Sequence, residues 1–235
     1  MEFQENDHKG KWLNIKKVIP VALRKILVFS AHPDDAEASM GGTILRYAEE
    51  KNEVLIVHVS SNAERKSEGK NAAKALKAEV DFFKYPNAKI PIDSDSLKKF
   101  EEVICGFSPH MVYSHWPVDY HVDHQAVGIC TLRALNNLEN KLRPELYYFE
   151  PCTGYQNYQF IPNTYVDVTP YVKRKKLATF RHRSQKPSGF YPINETMMKF
   201  RGYESGYFYA EAFIRIYFRH PPMRDCVVGE GKDRK

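Results

Sequence analysis

Apolar residues along this chain fall into two rhythms. Short runs at 26–30, 54–60, 81–85, 111–114 and 145–149 are rich in β-branched and aromatic side chains, which fits buried strands. Between them, apolar positions recur three and four residues apart. Met40, Ile44, Leu45, Tyr47 and Ala48 do so within 37–51, and Leu97, Phe100, Val103 and Ile104 within 94–107. The stretches 71–80, built of Ala, Leu and Lys, and 123–138 have the same character. That spacing predicts helices. Residues 61–69 are polar and read as a loop.

Strands alternating with helices over short connections predict an α/β fold: a Rossmann-like, mostly parallel sheet with helices on both faces. In such sheets ligands bind beyond the carboxyl ends of the strands. After residue 150 the rhythm changes, and Tyr, Phe, Pro and Asn become frequent. A basic helix at 172–180 and an apolar–aromatic run at 210–218 follow. We read 21–220 as one domain, with 151–220 a C-terminal elaboration that adds a cap or extra strands. Residues 1–20 read as an irregular arm and 221–235 as a tail.

Composition narrows the class. The chain has 235 residues, 43% of them hydrophobic and 27% charged, enough apolar material for a core. Its apolar runs fall far short of the ~20 residues that cross a bilayer, and no secretory h-region is present at the start. The cysteines, Cys105, Cys130, Cys152 and Cys226, form no CxxC pair, so reduced thiols in the cytoplasm are expected. The net charge of +6 allows an anionic group on the substrate. No helix carries the clustered Arg and Lys of a nucleic-acid motif, so no nucleic-acid partner is expected. A homo-oligomer is compatible with the sequence.

Two polar clusters stand out against this pattern. One is AHPDDAEASMGG at 31–42, directly behind the first apolar run; the other is HWPVDYHVDH at 115–124, behind a later one. Each alone also reads as a turn with a helix cap. Together they supply the donors of a catalytic zinc site, which takes three His or carboxylate ligands and leaves a position for water. His32 and Asp35, three residues apart, share one face of a first helical turn, and His124 can complete the set. A neighbouring carboxylate is then free to act as general base, and His121 can stabilise an oxyanion or protonate a leaving group. Chemistry alone does not order Asp34 and Asp35 between metal and proton.

AHPDDAE followed by Gly-Gly, paired with the later HVDH, resembles the PIG-L/LmbE-like family of zinc-dependent de-N-acetylases. HRSQ at 182–185 is similar to that family's H-x-S-Q segment, and AEAF at 210–213 to its C-terminal AEAF segment. The resemblance runs over about residues 25–218. It implies that His32, Asp35 and His124 hold Zn2+ or another divalent metal, that Asp34 is the general base, and that His121 assists the tetrahedral intermediate. The implied reaction removes the acetyl group from an N-acetylglucosamine-type amino sugar or its conjugate. Alternatives are a zinc amidase acting on another amide, such as a thiol-sugar conjugate, and a basic nucleic-acid-binding protein with a structural metal. Asp119, Asp123, His182, Gln185 and Glu211 are candidates for holding ligands in place or touching substrate. Arg65 lies where relatives carry a Gly-rich loop with a substrate-binding arginine, but the glycines are absent here. Arg65, Lys66, Arg181, Arg183 and Lys186 are candidates for holding a phosphate- or nucleotide-linked sugar. His58, inside an apolar run, reads as a packed side chain.

Overall fold

The computed structural model describes residues 23–138 and 143–218; the arm at 1–20 and the tail at 221–235 lie outside the described residues. In chain order the elements are β1 (Lys25–Ser30), α1 (Asp35–Glu49), β2 (Glu53–Ser60), α2 (Ala63–Leu76), β3 (Glu79–Tyr85), α3 (Ser94–Phe107) and β4 (Met111–His115). There follow α4 (Val122–Asn137), β5 (Glu145–Phe149), β6 (Thr164–Asp167), α5 (Val172–Thr179), α6 (Pro187–Ser205) and β7 (Ala210–Ile216). Among the described residues the strands form one sheet in the order β3-β2-β1-β4-β5-β7-β6. The first five are parallel; β7 runs antiparallel to β5, and β6 antiparallel to β7.

Period-two alternation divides β1 between two cores. Leu27 and Phe29 pack with Phe100 and Ile104 of α3 and with Val127, Ala134 and Leu135 of α4. Ile26 and Val28 face the other way, onto Met40, Ile44 and Leu45 of α1, Leu76 of α2 and Ala178 of α5. The sheet is therefore covered on both faces, as the apolar pattern predicts. The strand order reverses between β1 and β4, which is where an open α/β sheet forms a crevice for ligands. Both polar clusters emerge there, one after Ser30 and the other at His115. Among the described residues no helix is long and apolar enough to cross a membrane.

Two expectations fail. Residues 61–69 are not a loop: α2 starts at Ala63 and ends at Leu76, so the helix expected at 71–80 begins earlier, and Val80 belongs to β3. The Asn62 side chain accepts the Arg65 N–H at 2.9 Å, which caps the helix. The helix packs through small residues, Gly69, Ala72 and Ala73, leaving a mostly polar surface with little amphipathic signal. The sequence pattern also gave no helix at 187–205. Pro187 stands at the first position of α6, where proline is tolerated, but Pro192 lies inside it.

The segment after residue 150 extends the sheet with β6 and β7 and adds α5 to the layer of α1 and α2. It also explains the Gly-Gly pair. Helix α1 breaks at Met40, whose backbone is non-helical. The amides that restart it, of Gly42 and Thr43, donate to the Glu211 carboxylate at 2.9 and 2.7 Å, and Lys175 Nζ approaches the same carboxylate at 2.7 Å. Glu211 of the AEAF segment is thus a buried cap supplied by β7 to a helix far away in sequence. A Cβ on Gly42 would lie 2.6 Å from the Val168 side chain. Gly42→Ala should cost about 1–3 kcal/mol through overpacking, read as a lower urea midpoint; an unchanged midpoint would mean that this contact relaxes freely.

Candidate metal centre

The chain turns sharply after β1. Ser30 Oγ donates to the His32 carbonyl at 2.8 Å, and the His32 N–H donates to Asp35 Oδ2 at 2.9 Å. This folds His32 back over the first turn of α1, so that its Nδ1 lies 3.2 Å from Asp35 Oδ2. From the first turn of α4, His124 brings its Nε2 to 3.5 Å from the same oxygen. One ligand atom each from His32, Asp35 and His124 falls within a mutual 4.8 Å. In a tetrahedral zinc site with bonds of 2.0–2.2 Å, ligand atoms stand about 3.3 Å apart. The two separations from Asp35 Oδ2, 3.2 and 3.5 Å, are compatible with that polyhedron.

Each imidazole is also held from behind. Asp123 Oδ2 lies 2.9 Å from His32 Nε2, and Asp119 Oδ2 lies 3.2 Å from His124 Nδ1. A carboxylate on the far ring nitrogen keeps the proton there and leaves the near nitrogen's lone pair for a cation. Asp123 is itself fixed by the N–H groups of Ala88 (2.6 Å) and Ile90 (3.1 Å). Asp119 accepts the His121 N–H at 2.6 Å and the Asn157 side-chain amide at 2.8 Å. The loop 115–124 is further tied to 156–158 by Tyr120 N–H to the Gln156 carbonyl and Tyr158 N–H to the Val118 carbonyl.

The electrostatics follow from this packing. Burial alone would lower the pKa of His32 and His124, but their carboxylate partners outweigh it and raise them to about 9 and about 10. Without a cation both rings are protonated at neutral pH, and a metal would displace those protons. Burial would raise Asp35, yet His124, His115 and His32 hold it well below the usual carboxylate range. His115 also lies close, 3.4 Å from Asp35 Oδ2. Its Nε2 accepts the Ala31 N–H at 3.0 Å, so that lone pair is already used. Burial, then the charge of His124, lowers His115 to about 4. It stacks on His124 with ring centroids 4.1 Å apart and acts as the floor of the site.

A second donor set, His32, His121 and Asp123, is also within mutual reach. Its members are committed elsewhere: Asp123 to two backbone amides and His32, and His121 Nδ1 to the Asp123 N–H at 3.1 Å. That bond places the proton of a neutral His121 on Nε2, on a ring that is only half-buried. The ring lies 4.9 Å from His32 and 4.8 Å from His124, centroid to centroid. Burial and then the charges of His124 and His32 lower its pKa.

Asp34 stands beside this cluster without entering it. Burial, and next the charge of Asp35, pushes its carboxyl up to about 7, while Arg65 and His182 pull it down. Arg65 reaches across from α2 to Asp34 Oδ1 and to the Pro33 carbonyl, both at 2.5 Å. Of the other candidates, Gln185 donates to Ser184 Oγ at 2.8 Å and Glu211 caps α1. Arg181, Arg183 and Lys186 line an open groove with Leu177 and Phe180.

The family model "PIG-L: GlcNAc-PI de-N-acetylase" matches residues 27–135, a span that holds both clusters. Over that span the chain is similar to the PIG-L family. It is 25% identical over 230 residues to the diacetylchitobiose deacetylase of Thermococcus kodakarensis, covering 84% of this chain and 86% of that one. Its fold is similar to the N,N′-diacetylchitobiose deacetylase of Pyrococcus horikoshii, with a TM-score of 0.72, 22% identity and coverage of 83% and 84%. It is also similar to GalB, the 4-carboxy-2-hydroxymuconate hydratase of Pseudomonas putida, with a TM-score of 0.73, 22% identity and coverage of 84% and 98%. At such identities the two structures speak for the fold alone.

Sequence reasoning missed Glu37 and treated His58 as packing; the two meet at 3.4 Å in the interior. The signal available was a glutamate three residues after a helix cap. If His32, Asp35 and His124 hold the ion, Asp35→Asn and His124→Ala should lose bound metal. Asp119→Asn and Asp123→Asn should weaken it by about 10–100-fold. Metal content after gel filtration measures this; Asp35→Asn with full metal would refute the assignment.

Proposed function

We propose that the protein is a metal-dependent deacetylase that removes the acetyl group from an N-acetylglucosamine-type amino sugar or its conjugate. The observation that carries this reading is the pair of adjacent carboxylates. Asp35 faces three ring nitrogens, whereas Asp34 stands partly buried beside it, outside the donor set and poised near neutrality. A divalent ion on His32, Asp35 and His124 would acidify a water and polarise the acetamide carbonyl. Asp34 takes the proton of the attacking water. The His121 Nε2–H donates to the oxygen that becomes anionic. Asp34 then passes its proton to the departing nitrogen, and acetate and a free amine result. Arg65 fixes the Asp34 carboxylate and so takes a role here different from the substrate contact expected of it. The Thermococcus kodakarensis relative named for diacetylchitobiose supports an amino-sugar substrate, and free Cys105, Cys130 and Cys152 fit a reducing cytoplasm.

Asp34→Asn should keep its metal and lose about 10²–10⁴-fold in kcat. With Asp34 raised to about 7, the base is protonated and idle at lower pH. A cation on Asp35 relieves the like-charge repulsion and lowers that value. kcat/KM should therefore rise with pH along an acidic limb with its midpoint at or below about 7. Release of acetate from N,N′-diacetylchitobiose and N-acetylglucosamine is the assay. Full turnover by Asp34→Asn, or a product formed by adding water without acetate release, would overturn the reading.

The basic groove of Arg181, Arg183 and Lys186 suits a phosphate on the far side of the sugar. A phosphate-linked N-acetyl sugar should then show higher kcat/KM than the free sugar, with the advantage shrinking as salt rises. Equal values at low salt would leave that charge without a part in catalysis.

A further inference from the structure

Three fully buried titratable side chains meet beside the metal centre without entering it. Glu37, in the first turn of α1, points one carboxylate oxygen at two histidines. His58 Nε2 of β2 and His182 Nε2, from the segment after α5, each stand 3.4 Å from Glu37 Oε1. None of the four ring nitrogens has another partner, and all three residues are 0% exposed. The three do not bring one ligand atom each within 4.8 Å of one another, so they do not form a second metal cage. The other oxygen of Glu37 accepts the Asp34 N–H at 3.2 Å.

That last bond reaches the catalytic apparatus. Asp34 has φ 120° and ψ −32°, a left-handed conformation that a residue with a Cβ adopts only when its surroundings impose it. Two contacts impose it: Arg65 on the side chain and Glu37 on the amide. A buried carboxylate without donors would be neutral or would turn away. The two histidine nitrogens, each 3.4 Å from Glu37 Oε1, hold the carboxylate aimed.

We propose that Glu37, clamped between His58 and His182, is a positioning residue for the proposed reaction: it fixes the backbone of Asp34 so that the base meets the attacking water. The proposal rests on Asp34 being the base. His58 and His182 act one step further back, by fixing the rotamer of Glu37. The H-x-S-Q histidine thereby gains a role that involves neither metal nor substrate.

Glu37→Gln tests it. The amide keeps the size of the side chain but cannot both turn an oxygen to the two histidines and accept the Asp34 N–H with the other terminal atom. kcat on N,N′-diacetylchitobiose should fall about 10–100-fold with KM and zinc content unchanged. The decisive comparison is Glu37→Gln in an Asp34→Asn background. If Glu37 acts through Asp34, the second change adds nothing to the residual rate. Equal losses in both backgrounds, or zinc lost in step with activity, would overturn the proposal. Wild-type kcat in Asp34→Asn alone would instead refute the role of the base. Should Glu37→Gln fail to fold, His182→Gln removes one clamp and leaves Glu37 in place. It should lower kcat and not KM, and lose that effect in the Asp34→Asn background; an unchanged kcat would again overturn the proposal.

Discussion

One carboxylate oxygen organises this molecule. Asp35 Oδ2 accepts the His32 amide and faces ring nitrogens of His32, His115 and His124 at 3.2–3.5 Å. An isolated anion in that position would be costly to bury. The imidazoles of His32 and His124 and a backbone N–H offset the cost, and two further aspartates, Asp119 and Asp123, complete the arrangement. The result is a cage rigid before any ion enters it. Ligand sites gain their precision from such supports.

The sheet makes this convergence possible. His32 and Asp35 follow β1, whereas His115, His121 and His124 follow β4. The two strands are adjacent only because the strand order reverses between them. Helix α1 is then asked to do two things: to start at the metal centre and to pack flat on the sheet. It does so by breaking at Met40, with Glu211 of β7 capping the restart and Lys175 of α5 balancing its charge. The elements after residue 150 are therefore tied to the site through the helix that carries it.

Much of this was legible in the chain. The strands before residue 150 and the helix at 94–107 showed in hydrophobic period, because each buries a regular stripe. The strand ends foretold that the two clusters, and with them His32, Asp35 and His124, would meet. What stayed hidden depended on partners distant in sequence. Helix α2 buries glycine and alanine, which leave almost no periodic signal; its one clue was Asn62. Helix α6 was masked by Pro187 and Pro192. Arg65 was legible as a substrate contact only by position, and its bond to Asp34 required knowing that α2 lies across the first turn of α1. Glu37 and His58 each look ordinary alone, and become a unit only when β2 and α1 are packed together.

The central claim is that one ion sits between His32, Asp35 and His124 and leaves Asp34 free. Anomalous scattering at the zinc edge from crystals of the zinc-loaded protein tests it most directly. The account predicts a peak within about 2.0–2.2 Å of His32 Nδ1, Asp35 and His124 Nε2, with Asp34 outside bonding distance. A peak on His121 and Asp123, or on Asp34 in place of Asp35, would contradict it.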